Sequence, residues 1–282
     1  MSKSNKVVTC LAIHDLAGLG KCSLTIAMPI LSAAGVATSL LPTSLFSNHT
    51  AFPSHHKTDL TESMLPIAEK WQEFGIKFDS IYVGCLSDVH QAEIVSEIID
   101  ILSHEDTLVV VDPVMGDNGK LYRSITPEMA EGMKKLCKKA QVIIPNLTEA
   151  TAMLGMEYKD GPYTKEYIEE VLAALKDFGA EYSVLTGVYF DEKKIGSASM
   201  NKRGELTYSF TDKVEGHFHG TGDIFASVLT AGLVKGKDIK TAMDAAAEFT
   251  ANSIRNTVEA GTDRLLGVIF EPELPKLPEL LK

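Results

Sequence analysis

The residues best suited to chemistry stand together late in the chain: Gly220, Thr221, Gly222 and Asp223. From Ile224 onward, apolar residues recur at helical spacing, at Val228, Leu229 and Leu233. The two glycines therefore uncover backbone N–H groups where a helix begins. A helix start carries four unpaired N–H groups and a partial positive charge, so it attracts anions. A carboxylate beside such a site has two possible uses. It can stabilise the helix start by about 0.3–1 kcal/mol against the dipole. It can also take a proton from a group that reacts next to a phosphate. A plain cap needs no pair of flanking glycines, so the pattern favours the base.

Other polar clusters follow apolar runs. Asp112-Pro113-Val114-Met115-Gly116-Asp117 comes after Val109, Val110 and Val111. A carboxylate at the C-terminal end of a buried strand is placed for a metal–nucleotide or a cationic ligand. The bland alternative is an Asp turn; two carboxylates and a glycine sharing the turn favour a ligand. Asn146 and Glu149 have capping-box spacing, in which the cap stabilises a helix by about 0.5–2 kcal/mol. The same pair could hold the hydration shell of Mg²⁺, and spacing alone favours the cap. Phe46-Ser47-Asn48-His49-Thr50 is a polar run that reads equally as a solvated loop or a ligand loop. Gly18-Leu19-Gly20-Lys21-Cys22-Ser23 imitates a phosphate-binding P-loop but lacks its residues. Asp15 stands where the first glycine belongs and Cys22 where Ser or Thr belongs. The dinucleotide-binding pattern fails for want of a third glycine.

Strands and helices must position these groups. The pattern predicts strands over 7–13, 36–41, 80–83, 107–111, 141–144 and 182–185. Helices are expected over 23–34, within 60–74, and over 88–102, 126–136, 165–178, 221–234 and 239–254, with a short one after Asn146. A hairpin is expected over 194–200 and 205–210. Residues 14–20 read as a turn, 42–57 as a polar loop and 112–123 as a glycine-containing loop. The strand–helix alternation implies a parallel sheet with helices on both faces. In such sheets ligands bind beyond the carboxyl ends of the strands. His14-Asp15, the Ser47 loop, 112–117, 146–149 and Thr186-Gly187 all fall there.

Bulk properties narrow the class. A chain of 282 residues, 45% hydrophobic, can build one large core. Its net charge of −11 disfavours a nucleic-acid partner. Cys10, Cys22, Cys85 and Cys137 form no CxxC pair, which argues against zinc and for a reduced, cytoplasmic setting. No apolar run reaches membrane-spanning length. Lys3 and Lys6 precede an apolar stretch, but that stretch is short and lacks a cleavage site, so it reads as the first strand. No composition break divides the chain, so one domain over 1–282 is expected, with a core at about 7–255. Residues 256–282 form the C-terminal tail, of which 271–279, with Pro272, Pro275 and Pro278, is expected to lie extended on the surface.

Together these motifs resemble the ribokinase-like kinases. Gly220-Thr221-Gly222-Asp223 is similar to their anion hole and catalytic base, and Asn146 with Glu149 resembles their N-x-x-E magnesium motif. Phe46-Ser47-Asn48-His49-Thr50 and Asp112-Pro113-Val114-Met115-Gly116-Asp117 resemble segments of the pyridoxal kinase branch. The resemblance covers about residues 7–255. It implies an α/β fold of three layers, α/β/α, with a mostly parallel central sheet and a small antiparallel edge hairpin. The implied activity is ATP-dependent phosphorylation of the 5′-hydroxymethyl group of pyridoxal, pyridoxamine or pyridoxine by a homodimeric enzyme.

By that resemblance Asp223 is the base and Gly220, Thr221 and Gly222 form the anion hole. Asp15, Ser47, His49, Thr50 and Cys85 face the substrate. Asp112, Asp117, Tyr122, Asn146, Thr186 and Gly187 serve ATP. Asp112, Asn146 and Glu149 serve Mg²⁺, mostly through water, and the family admits a monovalent cation such as K⁺. Asp15 stands where pyridoxal kinases often carry a serine, and Cys85 where some carry a tyrosine. An acidic residue at position 15 resembles the hydroxymethylpyrimidine kinases instead, although those often end their last motif in cysteine rather than Asp223. Hydroxymethylpyrimidine phosphorylation is therefore the alternative activity. A sugar kinase would need room for an extra lid after the first strand. A non-catalytic vitamer-binding protein would be expected to lose the base or the glycines.

Overall fold

The computed structural model describes residues 7–122 and 125–282. Lys3, Lys6 and Arg123, at the end of the expected loop, lie outside them. In chain order the strands are β1 (Thr9–Ala17), β2 (Ala37–Phe46), β3 (Lys57–Asp59), β4 (Ser80–Val83), β5 (Leu108–Val111), β6 (Gly116–Asp117), β7 (Lys120–Leu121), β8 (Val142–Ile143), β9 (Tyr182–Val188), β10 (Lys194–Asn201) and β11 (Leu206–Asp212). The helices are α1 (Leu24–Ala33), α2 (Thr61–Glu73), α3 (Val89–Leu102), α4 (Pro127–Cys137), α5 (Leu147–Leu154), α6 (Lys165–Leu175), α7 (Thr221–Val234), α8 (Ile239–Ala260) and α9 (Leu277–Leu280).

Nine strands form one sheet in the order β11-β10-β9-β8-β5-β4-β1-β2-β3. The strands from β9 through β2 pair parallel, while β10, β11 and β3 add antiparallel edges. Alternation along the strands explains the three layers. Ile13, Ile81, Val83, Val109, Val111 and Ile143 point to one face, where α2 to α6 cover them. Cys10, Tyr82, Val110, Val142 and Val184 point to the other, where α1, α7, α8 and α9 pack. A strand buried on both faces needs apolar residues at every position, which is why these strands read as continuous runs. The chain runs from β1 outward to β2 and later returns to β4 on β1's other side. That reversal opens a crevice beyond the carboxyl ends of β1 and β4.

Three stretches differ from the sequence expectation. β1 continues through residues 14–17 instead of turning, because it keeps pairing with β2 as far as Ala17 and Phe46. Its register shifts between His14 and Leu16, a bulge that re-aims Asp15. β2 runs through Pro42 to Phe46. Beyond the three residues paired with β3 it is a sheet edge, where the missing N–H of proline is tolerated. The tail does not lie extended: residues 271–276 form a 3₁₀ segment that leads into α9. Leu277 and Leu281 are buried against α1 and α8, and burying such side chains stabilises a compact tail by about 1.5–3 kcal/mol each.

Candidate active site

The C-terminal ends of the parallel strands and the start of α7 enclose one cavity of about 480 Å³, a common size for a ligand site. Asp112 enters it from the end of β5, Asn146 and Glu149 from the start of α5, and Thr186 and Gly187 from β9. Tyr122 and Asp117 line it beside the β6–β7 turn. Gly220, Thr221, Gly222 and Asp223 form its far wall.

The two glycines at α7 have different reasons to be there. Gly220 caps the helix at φ 83°, a left-handed conformation. A Cβ there would lie 2.6 Å from the Lys21 carbonyl oxygen and 2.6 Å from Ile26. Gly222 meets nothing within 4 Å, so its missing side chain leaves the helix start open. No side chain caps α7. Its first N–H groups are thus presented to the cavity, the arrangement that binds phosphate oxygens.

Asp223 is half-buried in the first turn of α7, and its Oδ2 accepts the backbone N–H of Ser23 at 2.9 Å. Burial raises its pKa to about 7; the Ser23 bond works against that rise and the nearby Asp15 adds to it. A base poised near neutrality is what general base catalysis uses. Asp15 is buried, and its Oδ1 accepts the Ser23 hydroxyl at 2.6 Å. Burial also raises its pKa, opposed by the Ser23 hydroxyl and the Cys85 thiol. A bridge between Leu16 and Ser23 folds the chain back so that Asp15 and Ser23 meet. Ser23 pairs this role with an unfavourable backbone, φ 52° and ψ −126°, of the kind that costs about 1–3 kcal/mol outside glycine. His14 does not join the site. It is fully buried, edge-on to Tyr82 at 4.3 Å, and burial lowers its pKa to about 3.

The Ser47 loop is held by its own hydrogen bonds. The Ser47 hydroxyl donates to Asn48 Oδ1 at 2.7 Å and accepts the His56 N–H at 2.9 Å. The buried His49 ring lies 2.7 Å from the Leu265 carbonyl through Nε2 and accepts the Ala51 N–H through Nδ1. The carbonyl can only accept, so the proton is on Nε2. Buried ring nitrogens need partners, and here the protein supplies both. Thr50 is exposed. Ser47 and His49 thus hold the loop, and Asp15 presents a carboxylate near Asp223.

Asn146 and Glu149 form the capping box, with Glu149 Oε2 accepting the Asn146 N–H at 2.8 Å and Asn146 Oδ1 accepting the Glu149 N–H at 3.0 Å. Glu149 Oε1 also accepts the Met115 N–H at 3.0 Å, and Asn146 Nδ2 donates to Gly116 at 2.8 Å. Asp117 is tied to Asn118. Of the three expected metal residues, Asp112 has no side-chain hydrogen bond among the described residues, although it is only 6% exposed. Burial, then the charges of Glu149 and Asp223, hold its pKa well above the usual carboxylate range. A hydrated Mg²⁺ fits there: it needs one or two carboxylates and keeps its waters. No group of three acidic, His or Cys side chains among the described residues forms a closed metal cage.

Sequence reasoning missed Ser23, Tyr158, Tyr163 and Lys213, of which the last three line the cavity. Ser23 looks like an ordinary residue at a helix start. The others lie in segments with no motif. Lys21 of the false P-loop is turned away from the cavity, 2.6 Å from Glu271.

Comparison with known proteins gives these features a family. The phosphomethylpyrimidine kinase family model matches residues 39–266. The chain is similar to a pyridoxine kinase of Bacillus subtilis, with 31% identity over 217 residues, 74% of each chain. It resembles a Bacteroides thetaiotaomicron protein solved as a candidate phosphomethylpyrimidine kinase, in one crystal form with pyridoxal. The identity there is 38% and the TM-score 0.90, over 98% of this chain and 96% of that one. It also resembles the pyridoxal kinase of Lactobacillus plantarum at 29% identity and TM-score 0.89, covering 97% and 98% of the two chains. With its three-layer fold and a GTGD helix start facing the strand ends, this chain belongs to the phosphomethylpyrimidine kinase family.

Proposed function

We propose that this chain transfers the γ-phosphoryl group of ATP to the 5′-hydroxymethyl group of a B6 vitamer, pyridoxal, pyridoxamine or pyridoxine, in the salvage of pyridoxal 5′-phosphate. One observation carries the reading. Asp223 stands at an uncapped, glycine-lined helix start on the same cavity as Asp112, and Ser23 ties it to Asp15.

Phosphoryl transfer asks mainly for positioning and charge stabilisation. The N–H groups of 220–223 hold the equatorial oxygens, and one such donor is worth on the order of 10²–10³ in rate. Asp223 accepts the hydroxyl proton as the oxygen attacks phosphorus, worth roughly 10²–10⁴. Asp15, as a carboxylate, pairs with a protonated ring nitrogen or with the amine of pyridoxamine. Thr186, Gly187 and Tyr122 lie along the nucleotide phosphates. Asp112 holds Mg²⁺, with Asn146 and Glu149 keeping its neighbourhood in shape. A Mg²⁺ ion held there would supply charge neutralisation for the phosphates. The reading takes 1–282 as one kinase domain acting as a homodimer in the cytoplasm, consistent with four free thiols.

Asp15 and the family's description also favour a second reading, a hydroxymethylpyrimidine (phosphate) kinase. ATP consumption measured across pyridoxal, pyridoxamine, pyridoxine and hydroxymethylpyrimidine, with K⁺ present and omitted, separates the two. Turnover of the vitamers well above that of hydroxymethylpyrimidine is expected. The reverse order moves the assignment to the second reading. Binding without turnover on all four substrates leaves a vitamer-binding protein.

A further inference from the structure

Ser23 occupies a conformation that its own side chain disfavours. Its φ of 52° and ψ of −126° belong to a region that glycine enters freely. Among the described residues Asn118 is the one other non-glycine residue at positive φ, and asparagine tolerates it. Ser23 is 5% exposed, so its hydroxyl does not serve solvent. The hydroxyl donates to Asp15 Oδ1 at 2.6 Å, on β1. The N–H of the same residue donates to Asp223 Oδ2 at 2.9 Å, on α7. Any residue but proline supplies the N–H; only the hydroxyl depends on serine. A glycine would keep the bond to Asp223 and remove the strain, yet the chain has serine.

We infer that Ser23 is a positioning residue for phosphoryl transfer, one that holds the acceptor-side carboxylate Asp15 and the base Asp223 in a single frame. The inference rests on the reading of Asp223 as base. Two carboxylates on neighbouring elements repel each other, and two donors from one residue, one to each, offset that repulsion and fix both rotamers. The short O–H···O⁻ bond fixes the Asp15 carboxylate near the C-terminal end of β1. The N–H bond keeps Asp223 beside the open N–H groups of α7. Strain at such a residue persists only where the surroundings enforce it, and here two charge-assisted bonds do so.

The test is Ser23→Gly. It keeps the N–H, frees the backbone and deletes the hydroxyl. The expected result is a Tm equal to or above that of the parent, with kcat at least tenfold lower, KM for ATP within twofold, and a raised KM for the vitamer. A residue that merely fills space gives an unchanged kcat, which overturns the inference. Ser23→Ala loses the hydroxyl but keeps the strain, so the same loss of kcat with a lower Tm than Ser23→Gly is expected. A cycle with Asp15→Asn checks the route. In the Asp15→Asn background, Ser23→Gly should cost less than threefold in kcat; a further full tenfold loss means the hydroxyl does not act through Asp15. Asp223→Ala keeps the two failures apart. Turnover surviving in that variant removes the base and this role together, whereas an inactive Asp223→Ala beside a fully active Ser23→Gly removes only the role of Ser23.

Discussion

The Ser23 N–H donates to the Asp223 carboxylate at 2.9 Å, across 200 residues of chain. Through that bond the turn after β1 and the first turn of α7 form one wall. Asp223 lines the cavity, and Ser23, which also bonds Asp15, holds it from behind.

Replacing Asp223 with alanine removes the proton acceptor but leaves the N–H groups of α7. A loss of kcat of about 10²–10⁴ is expected, with ATP affinity within a few-fold of the parent by calorimetry. Near-normal kcat in this variant would refute the role.

The pKa of about 7 sets the sign of the pH dependence. A base works when ionised, so kcat/KM should fall as pH drops through about 7. The charge on Asp15 contributes to that raised value. Asp15→Asn should therefore move the acid limb to lower pH. A limb that stays in place, or moves upward, contradicts the coupling. Stability follows the same shift. The folded Asp223 retains its proton above the ordinary carboxylate range, so the group weakens the fold progressively as pH rises from about 4 to about 7. In Asp223→Asn this contribution to the decline of Tm across that interval should vanish, which calorimetric scans at several pH values would detect.

The two glycines of α7 should respond differently to alanine. Gly220→Ala forces a Cβ against the Lys21 carbonyl at a left-handed φ, so lower stability and lower activity are expected together. Gly222→Ala meets no atom within 4 Å and should leave Tm unchanged. The added methyl would still stand at the open helix start, so kcat should fall or KM for ATP rise. An unaltered kcat/KM in Gly222→Ala would place the phosphates elsewhere.

Asp112 has an open carboxylate where Asn146 and Glu149 do not. Asp112→Asn should raise the Mg²⁺ concentration needed for half-maximal activity, and chelation of the metal should abolish turnover in the parent. A Mg²⁺ titration identical to the parent's would refute the assignment.

The tail is part of the core. Leu277 is fully buried beneath α1 and α8, so Leu277→Ala should cost about 2–5 kcal/mol in chemical denaturation. A surface tail would lose almost nothing.

Much of this was legible in the sequence. The bounds of α7 and β4 follow from apolar spacing and short-range breakers alone, and they coincide with the structure. The Asn146–Glu149 box and the Asp88 cap are local hydrogen bonds between residues three apart, so spacing identifies them. The polar clusters at strand ends were visible because βα alternation fixes which end of each strand faces the ligand. Other features depend on partners distant in sequence. The bulge that turns Asp15 comes from its register against β2, and β2 passes Pro42 because that stretch is a sheet edge. His49 is held by the Leu265 carbonyl, 216 residues away, a contact that no local spacing reveals. The proline-spaced tail folds back because α1 and α8 leave an apolar face for Leu277 and Leu281. The sequence by itself determined the chemistry available, a carboxylate at a glycine-rich helix start and a second one at a strand end. Only the tertiary structure decided that Ser23 joins Asp223 to Asp15, since a hydrogen bond across 200 residues and a positive φ leave no trace in local residue spacing.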